Sequence, residues 1–289
     1  ALSNTFYNSG YMNNYRNYMY GYGNSYYNNY ENYYDPDKYI QLFGVSLGWG
    51  KRLRWPDDYF VLSTQLGFTR YMLKNWSYFL MTNGSANNLN ASISISRTST
   101  DNQLFPRRGS EFMASVTLTP PWSLWDGKDY KNLANNPRSA TYSQEQQEKF
   151  RWIEYHKWKF KARTFTALSS GQKCFVLVTR VELGLLGSYN RNKKSPFETF
   201  YMGGDGMSGY SSGYAEETIG LRGYENGALT PSYEVQGYAY DRFSLELRYP
   251  FLLGNTTIYG LGFVEAGNAW SETSKFNPFD MKRSAGLGV

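Results

Sequence analysis

Apolar and polar residues alternate along most of the chain, and this period of two predicts β-strands. Between residues 40 and 51, Phe43 and Val45 share one face of the predicted strand, whereas Gly44 and Ser46 share the other. The alternation predicts strands over 40–51, 58–72, 88–98, 110–119, 150–167, 174–187 and 237–249, a less regular strand over 256–268, and partial strands over 1–7 and 281–289. We therefore expect an all-β protein of roughly ten strands.

The polar faces of two predicted strands carry charges. These are Lys157, Lys159, Lys161 and Arg163 in the strand over 150–167, and Arg242, Glu246 and Arg248 in the strand over 237–249. A soluble barrel needs an apolar core at such positions, whereas a transmembrane barrel has lipid outside and a hydrated lumen inside. A one-layer sheet with a solvated face is the alternative, but its apolar face would lack helices to cover it. The pattern favours a transmembrane antiparallel up-and-down β-barrel.

The amino-acid composition is consistent with more than one class of β-protein. Aromatic residues make up 19% of the 289 residues and charged residues another 19%, and the mean hydropathy is −0.60. No run of about 18 apolar residues occurs, which excludes a transmembrane helix. An aromatic-rich, glycine-rich and polar chain is typical of a transmembrane β-barrel, with a soluble β-sandwich or lectin as the alternative. The net charge of +6 comes from scattered residues and does not predict nucleic-acid binding.

The predicted connections alternate between short and long. The short ones are Arg54–Asp57, Ser169–Lys173, Pro250–Asn255 and the turn formed by Pro106, Arg107, Arg108 and Gly109. The long ones are Asn8–Asp37, Lys74–Asn87, Pro120–Lys149, Ser188–Gln236 and Ser271–Asp280. In outer-membrane barrels the short turns are periplasmic and the long loops extracellular.

Aromatic residues mark two further features. The strand ends carry candidates for the interfacial aromatic girdles, namely Trp49, Trp55, Trp122, Trp125, Tyr249 and Trp270. The segment Tyr7–Tyr34 is rich in Tyr and Asn, a composition typical of disordered, self-associating tracts. We interpret it as an extracellular loop that either covers the barrel mouth, contacts a partner, or is simply a variable surface loop.

Residues that support covalent chemistry are scarce. His156 is the only histidine and Cys174 the only cysteine, so neither a zinc site nor a Ser-His-Asp triad is expected. Their positions predict His156 near a strand end on the apolar face and Cys174 as a small buried apolar residue. No nucleotide-binding motif occurs. We expect no enzyme activity, no cofactor and no metal.

The loop over Ser188–Gln236 carries the most specific motif. Leu221, Arg222, Gly223 and Tyr224 follow a glycine segment that includes Gly203, Gly204 and Asp205, and together they resemble the lumen loop of the BamA family. Leu221 departs mildly from the family pattern and Tyr224 fits it. Further similar segments, in chain order, are the turn within 101–110, the strand segment 244–247 around Glu246, the segment 263–270 with Glu265 where the family usually has Asp, and 281–289. The motif variants resemble the Bacteroidetes branch.

This resemblance implies a fold and a site. The family barrel has about sixteen strands, so residues 1–289 would be an incomplete C-terminal transmembrane barrel domain lacking the POTRA repeats and the first and last strands. The long extracellular loop would fold into the lumen, where Arg222 would pair with acidic residues of the inner wall. Glu246 faces the lumen by its alternation, whereas the face of Glu265 is ambiguous because it shares parity with Leu261 and Phe263.

The resemblance also implies a function. The chain would be the central barrel subunit of the machinery that folds and inserts β-barrel proteins into the bacterial outer membrane. The implied partners are nascent outer-membrane barrels, periplasmic and surface lipoprotein subunits and the lipid bilayer, with no nucleic acid. The alternatives are a related POTRA-barrel translocator or secretion pore, and a passive outer-membrane channel.

Overall fold

The computed structural model describes residues 2–8, 37–76, 80–171, 173–205, 217–231, 237–254 and 256–289, with the backbone alone for 4–8. The Tyr/Asn-rich tract predicted over Tyr7–Tyr34 lies outside the described residues from residue 9 onward. Within the described ranges, none of the helices has the length and apolar character needed to cross a membrane.

Among the described residues, ten strands form one antiparallel sheet, in which each strand pairs with the strand of this sheet that comes before or after it in the chain. The strands of this sheet are β1 Leu2–Asn8, β2 Tyr39–Arg52, β3 Phe60–Lys74, β4 Gly84–Thr98, β5 Arg108–Leu118, β6 His156–Ala167, β7 Val176–Gly187, β10 Ala239–Leu252, β11 Ile258–Trp270 and β12 Lys282–Gly288. Two short strands, β8 Phe200–Met202 and β9 Glu217–Ile219, lie in the loop between β7 and β10. The predicted all-β, up-and-down architecture is confirmed.

The sheet does not close into a complete barrel. Among the described strands, β1 and β12 each pair on one side only. The predicted apolar face points outward, where Leu47 is 75% exposed. This exposed apolar face is what a lipid-facing surface requires, because hydrocarbon rather than water is its solvent.

The largest buried cluster lies on the opposite, concave face, which we call the lumen side. Loop residues Phe197, Phe200, Met202 and Leu221 belong to this cluster together with residues of the wall, including Tyr240. Apolar burial therefore holds the long loop against the inside of the sheet, alongside the charged contacts described below.

The segment predicted as a long loop over Pro120–Lys149 contains two helices, α1 Trp122–Trp125 and α2 Tyr142–Phe150. The prediction that a strand begins at residue 150 was wrong, because Phe150 ends α2 and β6 begins only at His156. At the start of β4, which extends beyond its pairing with β5, a side chain of α2 forms hydrogen bonds with the strand backbone. The Gln147 side chain accepts a hydrogen bond from the Ser85 N–H at 2.6 Å and donates one to the Ser85 carbonyl, also at 2.6 Å.

Two smaller predictions also needed correction. β10 continues to Leu252, so the predicted turn over Pro250–Asn255 is shorter, and the pairing with β11 shifts register between Pro250 and Leu252. Trp270 is 8% exposed and does not join an outer girdle, since its ring packs edge-on against Phe276. Trp55 and Trp125, by contrast, are largely exposed.

Candidate functional site: a lumen loop clamped to the barrel wall

The glycine segment joins the two arms of the lumen loop. β8 and β9 pair in parallel, and the Gly203 N–H donates to the Ile219 carbonyl at 2.9 Å. The Gly204 N–H donates to the Tyr224 carbonyl at 3.1 Å. Gly203 has a φ of +129°, and a Cβ there would lie 2.4 Å from the carbonyl oxygen of Glu225. Only glycine permits this conformation and approach. Asp205, the last residue of the segment, is exposed.

Arg222 contacts both acidic residues that the sequence offered as partners. Its Nε and Nη2 donate to Glu265 Oε1 at 3.1 and 2.6 Å, and its backbone N–H donates to Glu265 Oε2 at 2.9 Å. Nη2 also donates to Glu246 Oε1 at 2.5 Å. We call Arg222, Glu246 and Glu265 the Arg222 clamp. A guanidinium suits this geometry because its planar fork serves several oxygens at once.

The ambiguous face of Glu265 is resolved by an aromatic neighbour. Glu265 and Phe263 both point into the lumen, and the guanidinium carbon of Arg222 lies 3.7 Å from the centre of the Phe263 ring. An aromatic face attracts a cation, which explains why the apolar side chain of Phe263 lies on this otherwise polar wall. The sequence alternation alone could not separate this arrangement from a lipid-facing strand.

The clamp continues into a row of alternating charges on the wall. Glu265 Oε1 also accepts from Arg242 Nη2 at 2.9 Å, and Arg242 lies 3.8 Å from Glu182. On the other side, Arg248 Nε donates to Glu246 Oε2 at 2.9 Å. Glu265 is 0% exposed and Glu246 4% exposed. Buried charges persist only when they are paired and hydrogen-bonded, and here each carboxylate meets two arginines.

The other residues of the motif extend the contact to a third strand. Gly223 has a φ of +87°, and a Cβ there would lie 3.1 Å from the Cβ of Ser284 in β12. The Tyr224 hydroxyl donates to the Arg283 carbonyl at 2.9 Å. Leu221 is fully buried and forms a bridge with Gly204. The four-residue motif is thereby fixed to β10, β11 and β12.

Electrostatics favour the charged form of the loop arginine. Burial alone lowers the pKa of the Arg222 guanidinium, but the hydrogen bonds and negative charges of Glu265 and Glu246 outweigh burial and raise that pKa. The arginine therefore stays ionised and keeps the clamp charged at any physiological pH.

A second charged contact, which the sequence reasoning missed, holds the other arm of the loop. Glu217 in β9 accepts from Lys159 Nζ at 3.1 Å and Lys161 Nζ at 3.0 Å, and Lys157 Nζ lies 3.7 Å away. We call these four residues the Glu217 cluster. Burial raises the pKa of Glu217, but the three lysines outweigh it and lower the pKa to about 2. The sequence showed the row of lumen-facing cations in β6. Such a row indicates an acidic partner from another segment, and this was the signal that could have revealed Glu217.

A polar cavity of about 450 Å³ adjoins this cluster. Glu198, at its edge, lies 3.6 Å from Lys157 and accepts from Asn88 Nδ2 at 3.0 Å. Its walls are dominated by hydroxyl, amide and charged side chains. The lumen beside the loop is therefore hydrophilic, as the strand alternation predicted.

The predicted periplasmic turn lies between β4 and β5, at the opposite end of the strands from the lumen loop. Asp101 Oδ1 accepts from the N–H groups of Arg107 and Arg108 at 2.8 and 3.1 Å. Arg107 also donates to the Gly171 carbonyl at 3.1 Å, which links this turn to the one between β6 and β7. Pro106 is buried, and Gly109 has a φ of +111°. None of the four turn residues touches Arg222 directly among the contacts of the described residues.

The two residues with chemical reactivity have structural surroundings. His156 begins β6 and its Nδ1 accepts from Trp158 Nε1 at 3.1 Å. Cys174 is buried within a cluster that includes Phe105 and Phe165. Across the part of the chain that the structure describes, no group of three or more His, Cys, Asp or Glu residues is placed to hold a metal ion.

A family model, the Omp85 superfamily domain, matches residues 3–289. The chain belongs to the Omp85 superfamily. Members of this superfamily are outer-membrane insertases and translocators. The predicted Bacteroidetes affinity is not part of this match and stays a prediction.

A solved structure has a similar fold. BamA from Haemophilus ducreyi lacking POTRA domains 1–3 matches with a TM-score of 0.59 and 18% identity over 86% of this chain. The match spans 48% of that chain, so this Omp85 domain corresponds to about half its length. A search of the curated proteins finds none that matches. At this identity the likeness to BamA shows the fold alone.

Proposed function

We propose that this chain is part of the C-terminal barrel domain of a bacterial outer-membrane insertase, the central subunit that folds and inserts other β-barrel proteins. The Arg222 clamp carries the proposal, because it fixes the loop motif inside the lumen at the wall formed by β10, β11 and β12. The described parts of the loop lie inside the lumen, where they narrow the opening that a wide passive channel would need. Superfamily membership and the likeness of fold to BamA support the same assignment.

The proposed mechanism uses no covalent chemistry. A strand of the incoming barrel pairs with an exposed strand edge of the completed barrel by β-augmentation. Such pairing matters because each unsatisfied backbone group in hydrocarbon costs several kcal/mol. The docked loop keeps the wall in the shape that this exchange requires. The partners would be nascent outer-membrane barrels, periplasmic and surface lipoprotein subunits, and the lipid bilayer.

Reconstitution of the full-length protein in liposomes tests the proposal. The measurement is the folding rate of an added, urea-unfolded outer-membrane barrel, followed by its heat-modifiable mobility on a gel. We expect faster folding than in empty liposomes, and a lower rate with Arg222→Ala. Arg191→Ala is the matched control, because Arg191 is an exposed residue of the same loop.

A channel or a secretion pore would behave differently in the same liposomes. Steady ion conductance without any acceleration of barrel folding would contradict the insertase and favour the passive channel. Release of a soluble passenger across the membrane, again without accelerated folding, would favour the translocator.

A further inference from the structure

A second apolar cluster lies on the lumen side at the periplasmic end of the sheet. Phe105 comes from the turn between β4 and β5, and it packs with Phe165, Cys174, Val176 and Val178. Leu253 and Tyr259, from the region of the turn between β10 and β11, complete the cluster. We call it the turn cluster. It joins elements that are four strands apart in the sheet, so it fixes the curvature of this part of the wall.

Contacts lead from this cluster to the Arg222 clamp. The rings of Phe105 and Tyr259 lie 5.4 Å apart, and the guanidinium carbon of Arg248 lies 5.4 Å from the centre of the Tyr259 ring. Arg248 donates to Glu246 Oε2 at 2.9 Å. The other oxygen of Glu246 accepts from Arg222. The ring of Tyr259 therefore positions the guanidinium of Arg248, and the hydrogen bond from Arg248 orients the carboxylate of Glu246 in the clamp.

The strand register provides a second link. Val176 and Val178 of the turn cluster are the cross-strand partners of Arg248 and Glu246. Both valines are buried on the lumen side, beside the two charged residues. They keep water from this flank of the ion pairs, and an ion pair is stronger where water is excluded.

We propose that Phe105 is a positioning residue for the Arg222 clamp, acting through Tyr259, Arg248 and Glu246. The turn on the periplasmic side would thereby set how firmly the loop motif is docked at the wall. Displacement of Phe105, for instance by a partner that binds this turn, would weaken the docking of the loop from the periplasmic end of the sheet. This inference deepens the proposed insertase function and rests on it.

Thiol labelling of the full-length protein tests the coupling without any insertion assay. Two reporters are compared. In a full-length protein whose cysteines outside residues 1–289 are replaced by alanine, the native Cys174 reports local packing of the turn cluster. Ser284→Cys, combined with Cys174→Ala, reports docking of the loop. Position 284 suits this purpose because Gly223 covers it and the Ser284 Oγ is buried. The measurement is the rate of reaction with a water-soluble maleimide.

We expect Phe105→Ala to raise the labelling rate at position 284 about fivefold or more, the lower range of coupling between linked sites. In a protein that already carries Arg222→Ala, the same substitution should add little. Leu104→Ala is the matched control, because Leu104 is the adjacent residue in the turn and is 70% exposed. It should leave both reporters unchanged.

Phe105→Leu keeps the inference testable if Phe105→Ala does not fold. Leucine fills most of the space but has no ring for Tyr259, so Cys174 should stay protected while position 284 becomes more reactive. Wild-type labelling at position 284 in every Phe105 variant that folds would overturn the proposal and leave Phe105 a local packing residue. Coupling of the reporters without any insertion activity would instead contradict the proposed function alone.

Discussion

Two of the charged contacts that hold the lumen loop, the Arg222 clamp and the Glu217 cluster, are built with opposite polarity. In the Arg222 clamp the loop supplies the cation and the wall supplies the carboxylates, whereas in the Glu217 cluster the loop supplies the carboxylate and β6 supplies three lysines. The clamp fixes geometry through a planar fork and a backbone N–H. The lysines are flexible point charges that tolerate displacement. We infer that the clamp sets the position of the loop and that the cluster adds attraction without strict geometry.

Loss of the clamp should have the largest effect. Arg222→Ala leaves Glu246 and Glu265 buried with fewer partners, and we expect it to lower stability by about 3 kcal/mol, the lower range for breaking a buried pair. The measurement is the temperature at which the folded band disappears in semi-native electrophoresis. Arg222→Lys should recover only part of the loss, since an ammonium cannot reproduce the fork. Full recovery by lysine would remove the geometric distinction between the two contacts.

Loss of the Glu217 charge should cost less. Glu217→Gln leaves three lysines without their shared carboxylate, and we expect a loss of about 2 kcal/mol, within the range for hydrogen bonds to charged groups. This loss should shrink in high salt, because the cluster is partly exposed to the lumen and screened. The matched control is Glu225→Gln, at an exposed loop position. An effect of Glu217→Gln that is independent of salt would contradict the contrast with the clamp.

Acid should weaken the Glu217 cluster. The pKa of Glu217 falls from 4.5 to about 2 on folding, so its contribution to stability is present above about pH 4.5 and is lost as the pH falls towards 2. The effect should be at most that of removing the charge. Unfolding temperatures measured between pH 5 and pH 2 should therefore decline more in the wild-type protein than in Glu217→Gln. Parallel pH profiles would argue against the lowered pKa.

The smallest effect is expected from the backbone beside the clamp. Gly223→Ala forces a side chain into a left-handed conformation, at a cost of about 1 kcal/mol, and brings its Cβ within 3.1 Å of Ser284. Gly254→Ala is the control, because its Cβ would meet no atom within 4 Å. Semi-native electrophoresis again provides the measurement. A neutral Gly223→Ala would show that the loop does not approach β12 as closely as described.

The strand pattern was predictable because lipid and water impose it residue by residue. Where both solvents are present, as along β2 with exposed Leu47 and lumen-facing Ser46, alternation in the sequence reports the two faces directly. The same logic predicted the lumen-facing side of Glu246. It failed to decide for Glu265, because Phe263 faces the lumen as a platform for Arg222 and so imitates a lipid-facing residue.

The features that the sequence did not reveal depend on contacts between distant segments. Glu217 was missed because only folding brings β9 to the lysines of β6. The helix α2 was missed because its polar residues show no alternation, and its position depends on side-chain hydrogen bonds to Ser85 and to the Leu80 carbonyl. Local sequence patterns predict the strands and the faces of their residues. The docking of the loop depends on residues that are distant in sequence, so it can be recognised only in the folded structure.

The place of the Arg222 clamp in the sheet bears on the order in which the chain folds. The hairpin of β10 and β11 joins segments that are close in sequence, since β10 ends at Leu252 and β11 begins at Ile258, so it loses little chain entropy when it forms. Arg222 binds one carboxylate from each of these strands, Glu246 of β10 and Glu265 of β11, so the clamp requires both strands to be in place. We therefore expect the loop to dock after this hairpin has formed. The binding site for the loop would then be formed before the loop enters it.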